Sequence, residues 1–227
     1  MNKELLADIL EWDILNWSKV LEFWELEVDV KNKNYQCLEL GNHHGGLSLW
    51  LAINGNRVIC PDKDSPEEKA KIKHQKYKSS FNVEYLTVDA TNIPYENHFD
   101  VVVFKSILGG ISANGEDHLK LKVIDEIYKS LKPNSVLLFA ENLEASRLHM
   151  MIRKRFVQWG KRWNYLKYEE VPPLFSAFKK VKFKTSGFLG AFGRNEKQRN
   201  FFSRIDQLID GILPPKKRYI LYGYAKK

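Results

Sequence analysis

The fifteen residues from Gln36 to Trp50 constrain this chain more than any other stretch. Gln36-Cys37-Leu38-Glu39-Leu40 is apolar and short enough to be one buried parallel strand. Leu47, Trp50 and Leu51 then begin a helical period, and the turn between them holds Gly41, Gly45 and Gly46. A strand that runs through a glycine turn into a helix start leaves backbone N–H groups unpaired at the positive end of the helix dipole. Such a place seats an anionic or nucleotide-like ligand. Glu39 narrows the choice, because its carboxylate would repel a pyrophosphate and would welcome a ribose hydroxyl or an ammonium group.

Those demands point away from dinucleotides and towards S-adenosylmethionine, whose tail is zwitterionic and whose sulfonium is cationic. Glu39-Leu40-Gly41-x-x-x-Gly45-Gly46 resembles the first motif of the class I S-adenosylmethionine-dependent methyltransferases, acidic-x-Gly-x-Gly-x-Gly. His43 stands where the middle glycine normally sits. The resemblance implies an α/β fold: a Rossmann-like, doubly wound, mostly parallel sheet of seven strands with an antiparallel last strand, preceded by N-terminal helices. It also implies that Glu39, Gly41, Asn42, His43 and Gly45 meet the cofactor.

The following segments repeat the strand–helix rhythm. Residues 56–62 read as a second strand ending in Asp62, 21 residues beyond Gly41, where a doubly wound fold reaches the ribose hydroxyls of a bound adenosine. Asp62 or Asp64 equally reads as the cap of the next helix. The lysines from Lys69 to Lys78 read as a solvated helix face. Val83–Val88 is a strand ending in Asp89-Ala90, which matches the family's acid for the adenine amine and the small residue beside the ring. Phe99–Leu108 is the most apolar strand, and its exit brings Lys105 and Ser106 to the same edge. A helical pattern from Leu119 to Leu131 stops at a Lys132-Pro133-Asn134 turn, before a fifth strand, Ser135–Ala140, with Glu141 and Asn142 at its exit.

Before the sheet, apolar residues at helical spacing predict one long or two broken helices over residues 3–29. Trp12, Trp17 and Trp24 read as core packing. In the methyltransferases this resembles, such a segment can cover the cofactor or substrate cleft. After the fifth strand, helices are expected over 144–158, 172–175 and 195–210, and strands over 181–185 and 218–225. No repeat or linker divides the chain, so one domain is expected: residues 1–34 a helical preface, 35–142 the cofactor-binding core and 143–227 a basic part on the substrate side.

Charge sets that last part off. Residues 1–150 carry 17 Lys+Arg against 23 Asp+Glu, a net of −6; residues 151–227 carry 19 against 5, a net of +14. A basic, aromatic-rich third suits a phosphorylated substrate, nucleic acid or an anionic membrane surface, or is simply a solvated face. Peripheral membrane contact stays open, and nucleic acid is not the expected partner. The two cysteines, Cys37 and Cys60, fall in expected core strands and read as reduced thiols of a cytoplasmic protein. No Cys/His spacing matches a metal site, no apolar run approaches the roughly 20 residues of a membrane span, and no signal core follows Met1.

Phe104-Lys105-Ser106-Ile107 occupies the place where methylases of exocyclic base amines carry Asp/Asn-Pro-Pro-Tyr/Phe, so that chemistry is disfavoured. Residues 38–52, 104–110 and Phe192-Gly193-Arg194 are similar to a bacterial branch of the superfamily associated with surface polysaccharide biosynthesis, which does not hold the middle glycine. The expected reaction is therefore methyl transfer from S-adenosyl-L-methionine to a hydroxyl or amine of a sugar, a glycan or a related small molecule, lipid-linked or free. Glu141, His44 and Lys105 are the candidate catalytic groups; Lys105, with an ordinary pKa near ~10.4, suits orienting an anionic substrate better than accepting a proton. Two other readings compete: an NAD(P)-dependent oxidoreductase, and a non-catalytic module that binds nucleic acid or membrane through its basic third.

Overall fold

A computed structural model describes residues 1–41, 44–61, 67–158 and 160–227. The chain opens with two helices, α1 (Lys3–Leu10) and α2 (Ile14–Glu27), broken at Glu11 and Asp13, which both take positive φ. It then alternates β1 (Gln36–Leu40), α3 (Gly46–Ile53), β2 (Arg57–Pro61), α4 (Glu67–Lys76), β3 (Val83–Leu86) and β4 (Phe99–Lys105). A four-residue helix α5 (Leu108–Ile111), α6 (His118–Ser130) and β5 (Leu131–Asn142) follow. The last third comprises α7 (Arg147–Phe156), α8 (Val171–Leu174), β6 (Lys180–Ser186), α9 (Glu196–Ile209) and β7 (Ile220–Lys226).

All seven strands join one sheet in the order β3-β2-β1-β4-β5-β7-β6. The pairs among β1 to β5 are parallel, whereas β7 runs antiparallel to both β5 and β6. This is the expected architecture. Side chains that alternate along each strand feed two cores, one on each face. Leu38, Val102, Phe104, Leu137 and Phe139 pack under α6 and α8 with Ile124, Ile127 and Phe175. Cys37, Val101, Val103, Leu138 and Ala140 pack on the opposite face under α2 and α3, with Trp17, Trp24 and Trp50. Trp24 also donates its indole N–H to the carbonyl of Gly223, tying the N-terminal helices to the last strand.

Two boundaries differ from the sequence expectation. Lys132-Pro133-Asn134 does not end the helix in a free turn; these residues bulge inside β5, with Leu131 opposite Phe99 and Val136 opposite Val101. Proline has no N–H for a ladder, and a bulge with Asn134 at φ 67° absorbs it. β3 stops at Leu86, short of the expected Val88, and Asp89 turns back through its carbonyl to the N–H of Asn92.

The two ends of the chain meet in a buried polar joint. Glu196, in the first turn of α9, accepts the N–H groups of Asp13 and Ile14, so it caps α2 from across the molecule. Asp13 accepts Ser203 Oγ at 2.8 Å, and Asn16 donates to Asp206 at 3.0 Å and to the Tyr219 hydroxyl at 3.2 Å. Burial, and then the neighbouring Glu196 and Asp206 carboxylates, pushes Asp13 up to about 7. A carboxyl raised in this way favours its protonated form on folding. Its stabilising contribution is whole below the unfolded value of 3.8 and is lost as pH climbs through about 7. Asp13→Asn mimics the neutral acid, so urea unfolding should show its stability relative to wild type rising between pH 4 and 7 and levelling above. A difference that stays flat with pH would contradict the joint's assignment.

Candidate functional site

The carboxyl ends of the parallel strands open into a cleft of about 2140 Å³. Strand order turns outward in both directions between β1 and β4, which is where ligands bind in doubly wound sheets. Glu39 and Gly41 reach the cleft from the end of β1, and Asp89 and Ala90 from beyond β3. Lys105 and Ser106 line it from β4, Asn142 from β5, and Pro61 from the end of β2. Asn42, His43 and Asp62, also expected to meet the cofactor, lie outside the described residues, as does Asp64.

Two buried carboxylates shape the floor. Glu39, 3% exposed, accepts the N–H groups of Leu47 at 3.2 Å and Ser48 at 2.7 Å in the first turn of α3. Glu141, 1% exposed, accepts Ile107 and Leu108 N–H at 2.9 and 2.8 Å with one oxygen and Asn142 N–H at 2.9 Å with the other. Burial pushes both acids up to about 7 against the pull of these N–H groups. The general-base expectation for Glu141 is therefore corrected. Its oxygens face backbone, and it is absent from the cleft wall, because the loop after β4 needs them. That loop presses on the glycine turn: at Gly41, with φ 66°, a Cβ would lie 2.2 Å from Ile107 Cγ2. Ser106 takes φ 57° beside it and accepts the Asn142 side-chain N–H at 2.8 Å. Gly45, the αL residue before α3, does not line the cleft; its carbonyl meets the His74 ring at 2.8 Å.

The N-terminal segment forms one wall. Gly46 comes so close to α1 that a Cβ would sit 2.1 Å from the Ile9 carbonyl oxygen. Lys105, expected to orient substrate or assist catalysis, donates to the Leu10 carbonyl at the α1 C-terminus and lies 5.0 Å from the Trp17 ring centre. Burial brings it down to about 8. Its first task is to hold α1, where a cation complements the helix dipole. His44 Nδ1 is 2.8 Å from Glu11 Oε1, and Lys73 donates to the Asp8 carbonyl, so the lysine-rich face of α4 is partly turned inward. Trp12 packs against the Trp17 ring at 5.5 Å and also lines the cleft, while Trp17 and Trp24 are fully buried. Asp89 Oδ1 accepts both the N–H and the hydroxyl of Thr91 at 2.8 Å, which fixes the carboxylate at the rim.

The opposite wall comes from the basic last third. Arg153, Phe156, Trp163, Tyr165 and Arg194 line it, Trp163 lies against Gly109 and Gly110 of the post-β4 loop, and Arg199 reaches across to the Trp12 ring at 5.6 Å. Arg194 belongs to a segment marked by resemblance alone, and Arg153 was visible only as one charge of a basic helix. The surplus of cations in this third is thus partly spent on the cleft. Among the described residues no group of three or more His, Cys, Asp or Glu side chains could hold a metal ion, and no helix is long and apolar enough to cross a membrane.

Residues 38–139 match the family model described as a methyltransferase domain. A curated relative, the carboxy-S-adenosyl-L-methionine synthase of Hydrogenovibrio crunogenus, is 28% identical over 172 residues, which cover 73% of this chain and 66% of that protein's length. Among solved structures, the phosphoethanolamine N-methyltransferase 2 of Haemonchus contortus in complex with S-adenosyl-L-methionine has a TM-score of 0.64 at 16% identity, covering 93% of this chain and 52% of that one. The PH0226 protein of Pyrococcus horikoshii OT3 has a TM-score of 0.60 at 17% identity, covering 92% and 88%. The fold is the Rossmann-like one of these structures, and the Haemonchus enzyme was solved with S-adenosyl-L-methionine bound.

The residues present fit that cofactor. Carboxylates at the end of β1 and beyond β3 line the cleft and suit a cationic, hydroxyl-rich ligand. Glu141→Gln keeps the volume but points an amide N–H₂ at backbone donors, so it should cost about 1–3 kcal/mol of stability in urea unfolding. A variant as stable as the wild type that had lost its turnover would restore the catalytic reading of Glu141.

Proposed function

We propose that this chain transfers a methyl group from S-adenosyl-L-methionine to a hydroxyl, or an amine, of a sugar, a glycan or a related small molecule, in the cytoplasmic steps of surface polysaccharide synthesis. The observation that carries the reading is the division of one cleft into two chemistries. Glu39, Gly41, Asp89 and Ala90 mark one side, at the ends of β1 and β3, with Lys73 and Lys105 beside them; Arg153, Arg194, Trp163 and Tyr165 mark the other, from the chain beyond β4. At about 2140 Å³ the cleft exceeds the ~300–1,000 Å³ of a typical single-ligand pocket, which leaves space for an acceptor beside the cofactor. The indole rings of Trp12 and Trp163 line the cleft and suit the apolar face of a pyranose ring. The curated relative's name is built on the same cofactor, and the similarity of residues 38–52, 104–110 and 192–194 to the polysaccharide branch supports the class of acceptor.

The bound cofactor supplies the activated methyl group. The chain's own work is then to align the acceptor, exclude water and take a proton from a hydroxyl. The wall built from α1 and Trp12 covers the glycine turn and serves exclusion. His44 is the proposed base: it lines the cleft, and Glu11 on Nδ1 fixes the ring's orientation and tautomer. Asp62, Asn42 and His43 complete the proposed cofactor contacts. The nicotinamide reading is not favoured, since Glu39 sits buried under the turn where a pyrophosphate would lie.

The test is transfer of label from methyl-labelled S-adenosylmethionine to nucleotide sugars, or to a lipid-linked glycan fraction, with adenosylhomocysteine quantified in parallel. Labelled sugar with stoichiometric adenosylhomocysteine is expected, and His44→Gln should slow hydroxyl methylation by about 10²–10⁴-fold. Label found in protein or nucleic acid, with sugars untouched, would overturn the acceptor assignment.

A further inference from the structure

Arg153 is an unusual residue for the inner turn of a surface helix. Its side chain is 8% exposed, it lines the cleft, and among the described residues no carboxylate lies against it. Its recorded partners are the carbonyl of Leu143, which Nη1 reaches at 2.6 Å, and the ring of Tyr165, with Cζ 4.2 Å from the centroid. One carbonyl and one ring leave most of a guanidinium's five N–H donors for other acceptors. Burying a cation without an anion is costly, and the price shows locally. Burial lowers Arg153 itself, and its charge helps to depress the neighbouring His149, for which burial is the larger cause. Arg194 lines the same wall, whereas Arg199 is engaged by the Gly193 carbonyl, the Trp12 ring and Glu196.

We infer that Arg153 is the seat for an oxyanion group, a carboxylate or a phosphate, carried by the methyl acceptor. The inference rests on the proposed transferase reading and makes it narrower: the substrate is an anionic sugar derivative, a uronate or a sugar phosphate, and a neutral sugar is excluded. A planar guanidinium pinned at Nη1 and stacked on Tyr165 presents its remaining edge in a fixed direction, the arrangement that suits bidentate capture of two oxygens. Position agrees with this role. Arg153 follows β5, on the far side of the β1/β4 switch from Glu39 and Asp89, which sets an anion there apart from those two carboxylates in the strand order.

The experiment titrates the whole protein, saturated with adenosylhomocysteine, with glucuronate, glucose 6-phosphate and glucose, following the fluorescence of the cleft tryptophans. One or both anionic sugars should quench saturably while glucose does not, and which of them binds tells carboxylate from phosphate. Arg153→Met should weaken that binding by roughly tenfold or more, the loss expected for a charge-assisted hydrogen bond, with adenosylhomocysteine affinity changed less than about threefold. Arg153→Lys, which keeps the charge, serves if the Met variant does not fold; it should bind adenosylhomocysteine normally and the anion several-fold more weakly. Equal binding of all three sugars, no anion binding to the wild type, or anion binding unchanged in the variants would overturn the inference. Failure of the wild type to bind adenosylhomocysteine would instead sink the transferase reading beneath it.

Discussion

The cleft depends on two buried carboxylates used as anchors for backbone. Glu39 at the end of β1 holds the first N–H groups of α3, and Glu141 at the end of β5 holds those of the loop after β4. Each sits in a setting that resists its charge, and each is tolerated because backbone donors converge on it. Without the first, the glycine turn would lose its fixed relation to the helix start. Without the second, Ile107 would lose its place against Gly41. The floor is therefore defined by hydrogen bonds to main chain, and the groups that face a ligand stand on top of it.

Around this floor the two ends of the chain form facing walls, joined behind the cleft by the Asp13, Asn16, Glu196 and Asp206 cluster. Lys105 links the floor to the first wall by taking the last carbonyl of α1. The second wall is cationic and aromatic, and it follows β5, whereas the acids follow β1 and β3. The cleft therefore offers Glu39 and Asp89, with Lys73 and Lys105 beside them, at one side and Arg153 and Arg194 at the other.

Much of this could be read from the sequence, for stated reasons. Alternating apolar strands, the Gly41–Gly46 turn and the Asp89-Ala90 exit each carry a local signature, and they placed a mostly parallel sheet with an antiparallel last strand and the carboxylates Glu39 and Asp89 at its edge. What could not be read was the destination of polar side chains that act over long range. Glu141 at a strand exit looks the same whether it faces ligand or backbone, and two of the three N–H groups that claim it lie more than 30 residues earlier. Trp12 shares its spacing with Trp17 and Trp24, yet the helix break at Glu11 and Asp13 turns it to the cleft. Arg153 resembled its neighbours Lys154 and Arg155 until packing of α7 hid it and left them exposed.

In the proposed function, one adenosyl ligand bridges the ends of β1, β3 and β4. Amide hydrogen exchange, with and without adenosylhomocysteine, measures this directly. Peptides spanning residues 36–48, 86–92 and 103–109 should exchange more slowly with ligand bound, while those of β6 and β7 should not change. Protection confined to other segments, or none in these three, would contradict it.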